Sequence, residues 1–222
     1  AAIQSTGAPF DRMAFVREAV RRGMSHAVLV AGEDSDLLSR AASELRGFSV
    51  PWVLFAEPTV SELADMPRLV DLASRQGAAA LVFSMTLAAD EGSESVEAIA
   101  AAVAETLDLA EARGVGTVVF GLPYCTLPDH IDYIAPTAPV TLLDGLAKNP
   151  WTSRIAQLPR CRSCEFSNRC PGLSAGALER EGEAVLAPLV GRPMNDRLPT
   201  AFEQLLTTGE AAAYGNTSRD GR

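Results

Sequence analysis

Through its first half the chain alternates amphipathic stretches, most of them closed by a glycine, with short runs that are largely apolar. Residues 1–10 read as a loop or linker. Asp11 to Arg22 predicts a helix: Asp11 can cap it, Phe15, Ala19 and Val20 form an apolar stripe, and Gly23 ends it. His26 to Ala31 predicts a buried strand, followed at once by Gly32-Glu33-Asp34-Ser35. Leu37 to Arg46 predicts a helix stopped by Gly47. Val50 to Ala56 predicts a strand broken by Glu57-Pro58-Thr59. A third helix is expected from Ser61 to Arg75, kinked or divided by Pro67, with Gly77 behind it. Ala79 to Met85 is the next strand. Ala88 to Ser93 is a polar loop, Glu94 to Arg113 a long helix closed by Gly114, and Gly116 to Leu122 a fourth strand.

The repeating unit is helix, glycine, apolar strand, polar loop, with strand starts roughly 27 to 37 residues apart, as expected of consecutive βα units. Strands that do not alternate are buried on both faces, which implies a parallel sheet covered by helices. Right-handed crossovers make this an α/β fold, either an open sheet or an arc of a barrel. Chemistry in such folds gathers at the C-terminal strand ends, here Gly32-Glu33-Asp34, Ala56-Glu57-Pro58, Met85-Thr86 and Pro123-Tyr124-Cys125. Beyond Pro128 the pattern decays. A short strand is expected at Val140 to Leu143, and helices at Pro150 to Leu158, Leu173 to Glu181 and Thr200 to Thr207. The tail from Gly215 is polar and expected to be disordered.

Composition narrows the function classes. The chain has 222 residues, 47% of them hydrophobic, so it can build a core without help from a metal. A net charge of −9 and a pI near 4.8 argue against nonspecific binding to nucleic acid or to an anionic membrane. Lys148 is the single lysine among many arginines, which points to base composition of the gene rather than to a binding site. No apolar run has the length of a membrane span and the start lacks a signal pattern, so a cytoplasmic, reducing location is expected. The chain starts with alanine rather than methionine, and N-terminal processing or truncation is expected.

All four cysteines fall in two places: Cys125, just past the fourth strand, and Cys161-x2-Cys164-x5-Cys170, followed by Pro171-Gly172. Buried apolar packing suits Cys125 but not the polar run from Arg160 to Arg169. Two disulfides would need an oxidising compartment. A redox C-x-x-C pair would be expected at a helix start after a strand. Spacing and exclusivity favour a four-thiolate site formed by Cys125, Cys161, Cys164 and Cys170, equally suited to zinc or to an iron–sulfur cluster.

Taken with the strands, these residues resemble the radical SAM enzymes. Val30-Ala31-Gly32-Glu33-Asp34 closes a strand where that family carries a G-G-E-P motif, with Ala31 replacing a glycine and Asp34 the proline. The Cys161 to Gly172 segment resembles the family's SPASM/twitch auxiliary-cluster segment. Gly182-Glu183-Ala184-Val185-Leu186-Ala187-Pro188-Leu189 is similar to the stretch that often succeeds that segment in the family. Pro123-Tyr124-Cys125-Thr126-Leu127-Pro128 is similar to the P-x-C-x-L-P stretch that supplies a further ligand.

The resemblance implies a partial (β/α) barrel over residues 1–145, an auxiliary iron–sulfur subdomain over 146–192, and a helix and flexible tail over 193–222. It implies a [4Fe–4S] cluster on the four cysteines, and S-adenosylmethionine at Gly32 and Glu33, with Glu33 on the methionine amino group. A peptide or small cofactor precursor would be the substrate of the radical chemistry. The family's C-x3-C-x2-C loop, whose cluster cleaves S-adenosylmethionine, is missing from the sequence. The chain is therefore either the C-terminal part of a longer enzyme or a degenerate partner, and alone it is not expected to cleave S-adenosylmethionine. A missing N-terminal segment or a partner subunit is expected to cover the strand edge at His26 to Ala31. A zinc-stabilised, non-catalytic module is the reading from a different class.

Other residues carry paired readings. Glu33 is either a cofactor contact or a carboxylate favoured by a helix N-terminus. His130 is either a ligand in place of the nearby Cys125 or an exposed loop histidine, the reading expected here, and His26 is expected as a structural residue. Glu57 at a strand end is either a pocket-lining residue or simply a polar residue of the loop. Tyr124 and Phe166 are expected to shield the thiolates. Arg160, Arg162 and Arg169 either offset cluster charge or form a solvated rim. Glu97, Glu105, Asp108 and Glu111 are expected on the solvent face of the long helix.

Overall fold

The computed structural model describes residues 12–24, 26–31, 35–85, 95–135, 155–168 and 170–191. Gly32, Glu33, Thr86, Arg169, the expected strand at 140–143, the helix at 200–207 and the tail lie outside the described residues. So do the divisions expected near residues 145 and 192.

Four strands form one parallel sheet: β1 (Ala27–Val30), β2 (Trp52–Ala56), β3 (Ala80–Ser84) and β4 (Thr117–Phe120). Their spatial order follows the chain, β1-β2-β3-β4, with Val28 opposite Val53, Leu54 opposite Leu81, and Phe83 opposite Val119. Four helices alternate with them: α1 (Arg12–Arg21), α2 (Ser35–Gly47), α3 (Met66–Gln76) and α4 (Val96–Ala112).

Side-chain alternation sorts the sheet into two apolar layers. Leu29, Leu54, Leu81, Phe83 and Val119 pack with Val16, Leu45, Val70 and Val103 of the four helices. Val53, Phe55, Val82, Val118 and Phe120 form a second buried cluster on the opposite face. The described helices thus all pack on one face of a sequentially ordered sheet. Right-handed crossovers give this layout in barrel-like arcs, whereas a doubly wound sheet reverses its strand order. Ile134 adds a parallel bridge to Val119, extending the parallel pairing one position past β4. At the other end β1 pairs only with β2 among the described residues, and Val30 is exposed.

The expected third helix is divided. Val60–Asp65 forms a 3-10 segment and α3 starts at Met66, because Pro67 fits the first helical turn, where its missing N–H costs nothing. Gly77 ends α3 at φ +70°, a left-handed conformation that disfavours other residues. Ser95 caps α4, accepting the Ala98 N–H at 3.1 Å. Ser95→Ala is expected to destabilise the fold by about 1 kcal/mol. Urea unfolding of both proteins measures this, and unchanged midpoints would remove the cap from the account.

The C-terminal part departs from the sequence pattern. Ile155–Ala156 is not helical but a strand, β5, antiparallel to β6 (Leu173–Ser174). The expected Pro150 to Leu158 helix is therefore corrected over its described residues: pairing with a distant partner overrides local propensity. The next helix, α5 (Ala175–Glu181), starts two residues later than expected because Leu173 and Ser174 belong to β6. Val96, Leu158, Leu173, Ala177 and Leu186 form a separate small core against the start of α4. No helix of the described residues is long and apolar enough to cross a membrane.

Candidate metal centre

β4 delivers the first thiol. After Phe120 the chain turns at Gly121, and Pro123 leads into a 3-10 turn, Tyr124–Thr126. Thr126 locks that turn, its Oγ1 donating to the Pro123 carbonyl at 2.7 Å. Cys125 is therefore carried at the C-terminal edge of the sheet. The other three thiols come from a loop pinned at several points. Pro159–Ser163 is a 3-10 turn in which the Cys161 N–H bonds the Leu158 carbonyl at 2.9 Å. Ser163 Oγ donates to the Arg160 carbonyl, and the Cys164 N–H to the Cys161 carbonyl. Gln157 Nε2 then donates to the carbonyls of Ser167 at 2.9 Å and Cys170 at 3.1 Å, binding both ends of the Ser167–Cys170 span.

The four cysteines line one narrow cavity of about 20 Å³, shared with Tyr124, Gln157 and Leu186. It lies at the seam between two cores: Cys164 and Cys170 pack against the sheet–helix core, Cys125 and Cys161 against the small C-terminal core. All four thiols are free and partly buried. Burial pushes the Cys125 thiol up to about 11, with the neighbouring Cys170 and Cys164 adding to the rise and the Ala187 N–H opposing it. Burial likewise raises Cys170, opposed by the N–H groups of Gly172 and Tyr124. Gly172 takes φ +67°, and its N–H lies 3.4 Å from Cys170 Sγ. Backbone donors aimed at sulfur favour the thiolate, and at a cluster they tune its potential.

Tyr124 and Phe166 stack with centroids 4.7 Å apart and planes 24° apart, both almost fully buried. They join the cysteine loop to the end of β4 and form an apolar flank. Arg160 and Arg162 are exposed, forming a rim.

As a donor set the residues fit a thiophilic metal or cluster. Zinc would draw the sulfurs to about 2.3 Å from one point. A four-iron cluster would push them apart. Among the described residues no three Cys, His, Asp or Glu side chains already stand as the ligand set of a single ion.

His130 is corrected. It is not exposed: its side chain keeps 16% of its accessible surface, and Nε2 lies 2.8 Å from Asp108 Oδ1 on α4. A partner 22 residues away leaves no local sequence signal.

A second polar feature lies along the same sheet edge. Glu57 follows β2 and is exposed as a residue. Burial holds its carboxyl above the ordinary range, offset in part by the Ser84 hydroxyl at the end of β3. Ser84 is 1% exposed, and its hydroxyl makes no hydrogen bond of good geometry. The available signal for Ser84 was its place as the one hydroxyl in the apolar run Ala79 to Met85. A carboxyl with a raised folded-state pKa binds more protons folded than unfolded, so its contribution falls as pH rises through the window above the unfolded value. Glu57→Gln is expected to flatten that decline. Urea midpoints of both proteins between about pH 4 and about pH 8 test it, and parallel profiles would contradict it.

No protein family, curated protein or solved structure matches this chain.

Proposed function

We propose that the protein is an iron–sulfur protein of the radical SAM type. In this reading Cys125, Cys161, Cys164 and Cys170 hold an auxiliary [4Fe–4S] cluster beside a partial (β/α) barrel. The chain would be part of an enzyme for S-adenosylmethionine-dependent radical modification of a peptide or cofactor precursor, in the reducing cytoplasm. The observation that carries it is the convergence of all four cysteines, from two separate stretches, on one cavity at the C-terminal edge of a parallel sheet.

When bound, the cluster would relay electrons or present an iron to substrate. The chain's own residues would hold and tune it. The N–H groups of Gly172, Tyr124 and Ala187 favour charge on sulfur, and the Tyr124–Phe166 stack keeps water from one flank. Gly32 and Glu33, just after β1 in the chain, are the proposed contacts for S-adenosylmethionine. The edge of β1 is the proposed seat of an upstream segment or partner subunit that supplies the cleaving cluster.

The size of the cavity, close to that of one water-sized sphere, favours a second reading: one zinc ion in a non-catalytic module. Anaerobic reconstitution with iron and sulfide separates them. The iron–sulfur reading predicts a brown protein with broad visible absorbance. A product that stays colourless and takes up zinc instead would replace it.

A further inference from the structure

The four-cysteine cavity holds about 20 Å³, close to one water-sized sphere. A hydrated metal ion or a four-iron cluster is larger, so neither passes in or out unless a wall moves. Most of the walls are fixed. Gln157 bonds two carbonyls of the cysteine loop, and Phe166 anchors that loop in the main core. The Cys125 turn is held by Thr126 and by the buried Tyr124.

The remaining wall is made by Leu186, Ala187 and Pro188. They begin a stretch, residues 186–191, that is neither helix nor strand. Leu186 is buried in the small C-terminal core and Leu189 packs against the main core, so the stretch crosses the seam at the thiols. Between these two anchors Ala187 is exposed, while its N–H reaches the Cys125 sulfur. The cover there is one residue thick.

Glu165 ties this cover to the cysteine loop. Its N–H donates to the Leu189 carbonyl at 3.1 Å, and its Oε1 accepts the Gly191 N–H at 2.7 Å. Among the described residues, the hydrogen bonds that hold residues 187–191 are those to Glu165 and to the Cys125 sulfur. Glu165 is itself exposed. Few buried contacts and solvent-exposed hydrogen bonds mark a segment that opens at low cost.

We propose that residues 187–191 are a strap over the thiol cavity, latched by Glu165, which swings out about Leu186 to let a metal or cluster in and out. This deepens the proposed function and rests on its four-thiolate site, not on which metal fills that site. The latch is made whether the site is empty or filled. A contact common to two states cancels from their equilibrium, so the latch sets the rate of exchange in both directions and leaves the affinity alone.

The test compares the parent chain with Glu165→Ala and Glu165→Gln. Glutamine removes the charge but keeps an oxygen for the Gly191 N–H, so the pair isolates the latch. In the metal-free chain, reaction of the thiols with dithiodipyridine, a neutral disulfide, reports opening without any metal. With cobalt(II), whose thiolate absorption reports occupancy, uptake is followed on mixing and release on adding excess EDTA. Glu165→Ala is expected to speed thiol reaction, uptake and release alike by about threefold to tenfold, the equivalent of one hydrogen bond. Its Kd should stay within about twofold of the parent's, and Glu165→Gln should restore most of the parent rates. The thiol reaction should respond weakly to low urea, because opening a strap exposes little surface. Unchanged rates in Glu165→Ala, faster release without faster uptake, or a urea dependence as steep as that of global unfolding would each overturn the proposal. Latch-dependent cobalt exchange in a chain that forms no cluster would keep the strap and overturn the iron–sulfur reading alone. A chain that forms the cluster but whose rates ignore Glu165 would do the reverse.

Discussion

Cys170→Ser is expected to lower metal or cluster affinity by more than about 100-fold, beyond the range for losing a supporting partner of a ligand. Several features make Cys170 the most sensitive of the four. Its sulfur receives the Gly172 N–H at 3.4 Å. Its carbonyl accepts from Gln157, its own N–H bonds the Phe166 carbonyl at 2.8 Å, and it packs against the main core. The thiol cannot swing away and let a neighbouring group take its place. Serine preserves the shape and the backbone bonds, so the fold should be retained and the loss should lie in binding. Competition against a chelator of known affinity gives the number. An affinity within about threefold of the parent, below even the roughly 10–100-fold loss typical of a supporting group, would show that Cys170 is not a ligand.

Phe166→Ala is expected to destabilise the protein by about 3–5 kcal/mol, a large share of the ~5–15 kcal/mol typical of a domain. Phe166 is 1% exposed and belongs to the main core although it sits in the cysteine loop. Alanine would open a cavity where Tyr124 now stacks and would free the loop that carries Cys161, Cys164 and Cys170. Phe166→Leu keeps most of the apolar contact and loses the ring pair, worth about 0.5–1.5 kcal/mol. Urea unfolding of the three proteins should therefore rank parent, Phe166→Leu, Phe166→Ala. A Phe166→Ala midpoint equal to the parent's would mean that the stack does not tie the loop to the sheet.

The sheet was legible in the residues because its four strands are apolar runs buried on both faces, set between helices with recognisable stops. The pairing of all strands in chain order, with the described helices on one face, accords with the right-handed crossover. The arrangement around the thiols was legible for a different reason: the cysteines occur nowhere else, and Tyr124 and Phe166 flank two of their positions. What escaped depends on partners distant in sequence. Ile155 and Ala156 pair with Ser174 and Leu173, which nothing near residue 155 announces. His130 meets Asp108 only because the loop after β4 folds back over α4. The approach of Ser84 to Glu57 exists only across adjacent strands. A local pattern reports the burial of a segment, not the side chain that will be opposite it.

The most direct measurement is the count of iron, acid-labile sulfide and zinc per chain after anaerobic reconstitution with all three supplied. It is made on the parent chain and on the chain carrying serine substitutions at Cys125, Cys161, Cys164 and Cys170. About four irons and about four sulfides are expected per parent chain, and neither in the substituted one. One zinc per parent chain with no sulfide, or iron and sulfide retained after loss of all four thiols, would contradict it.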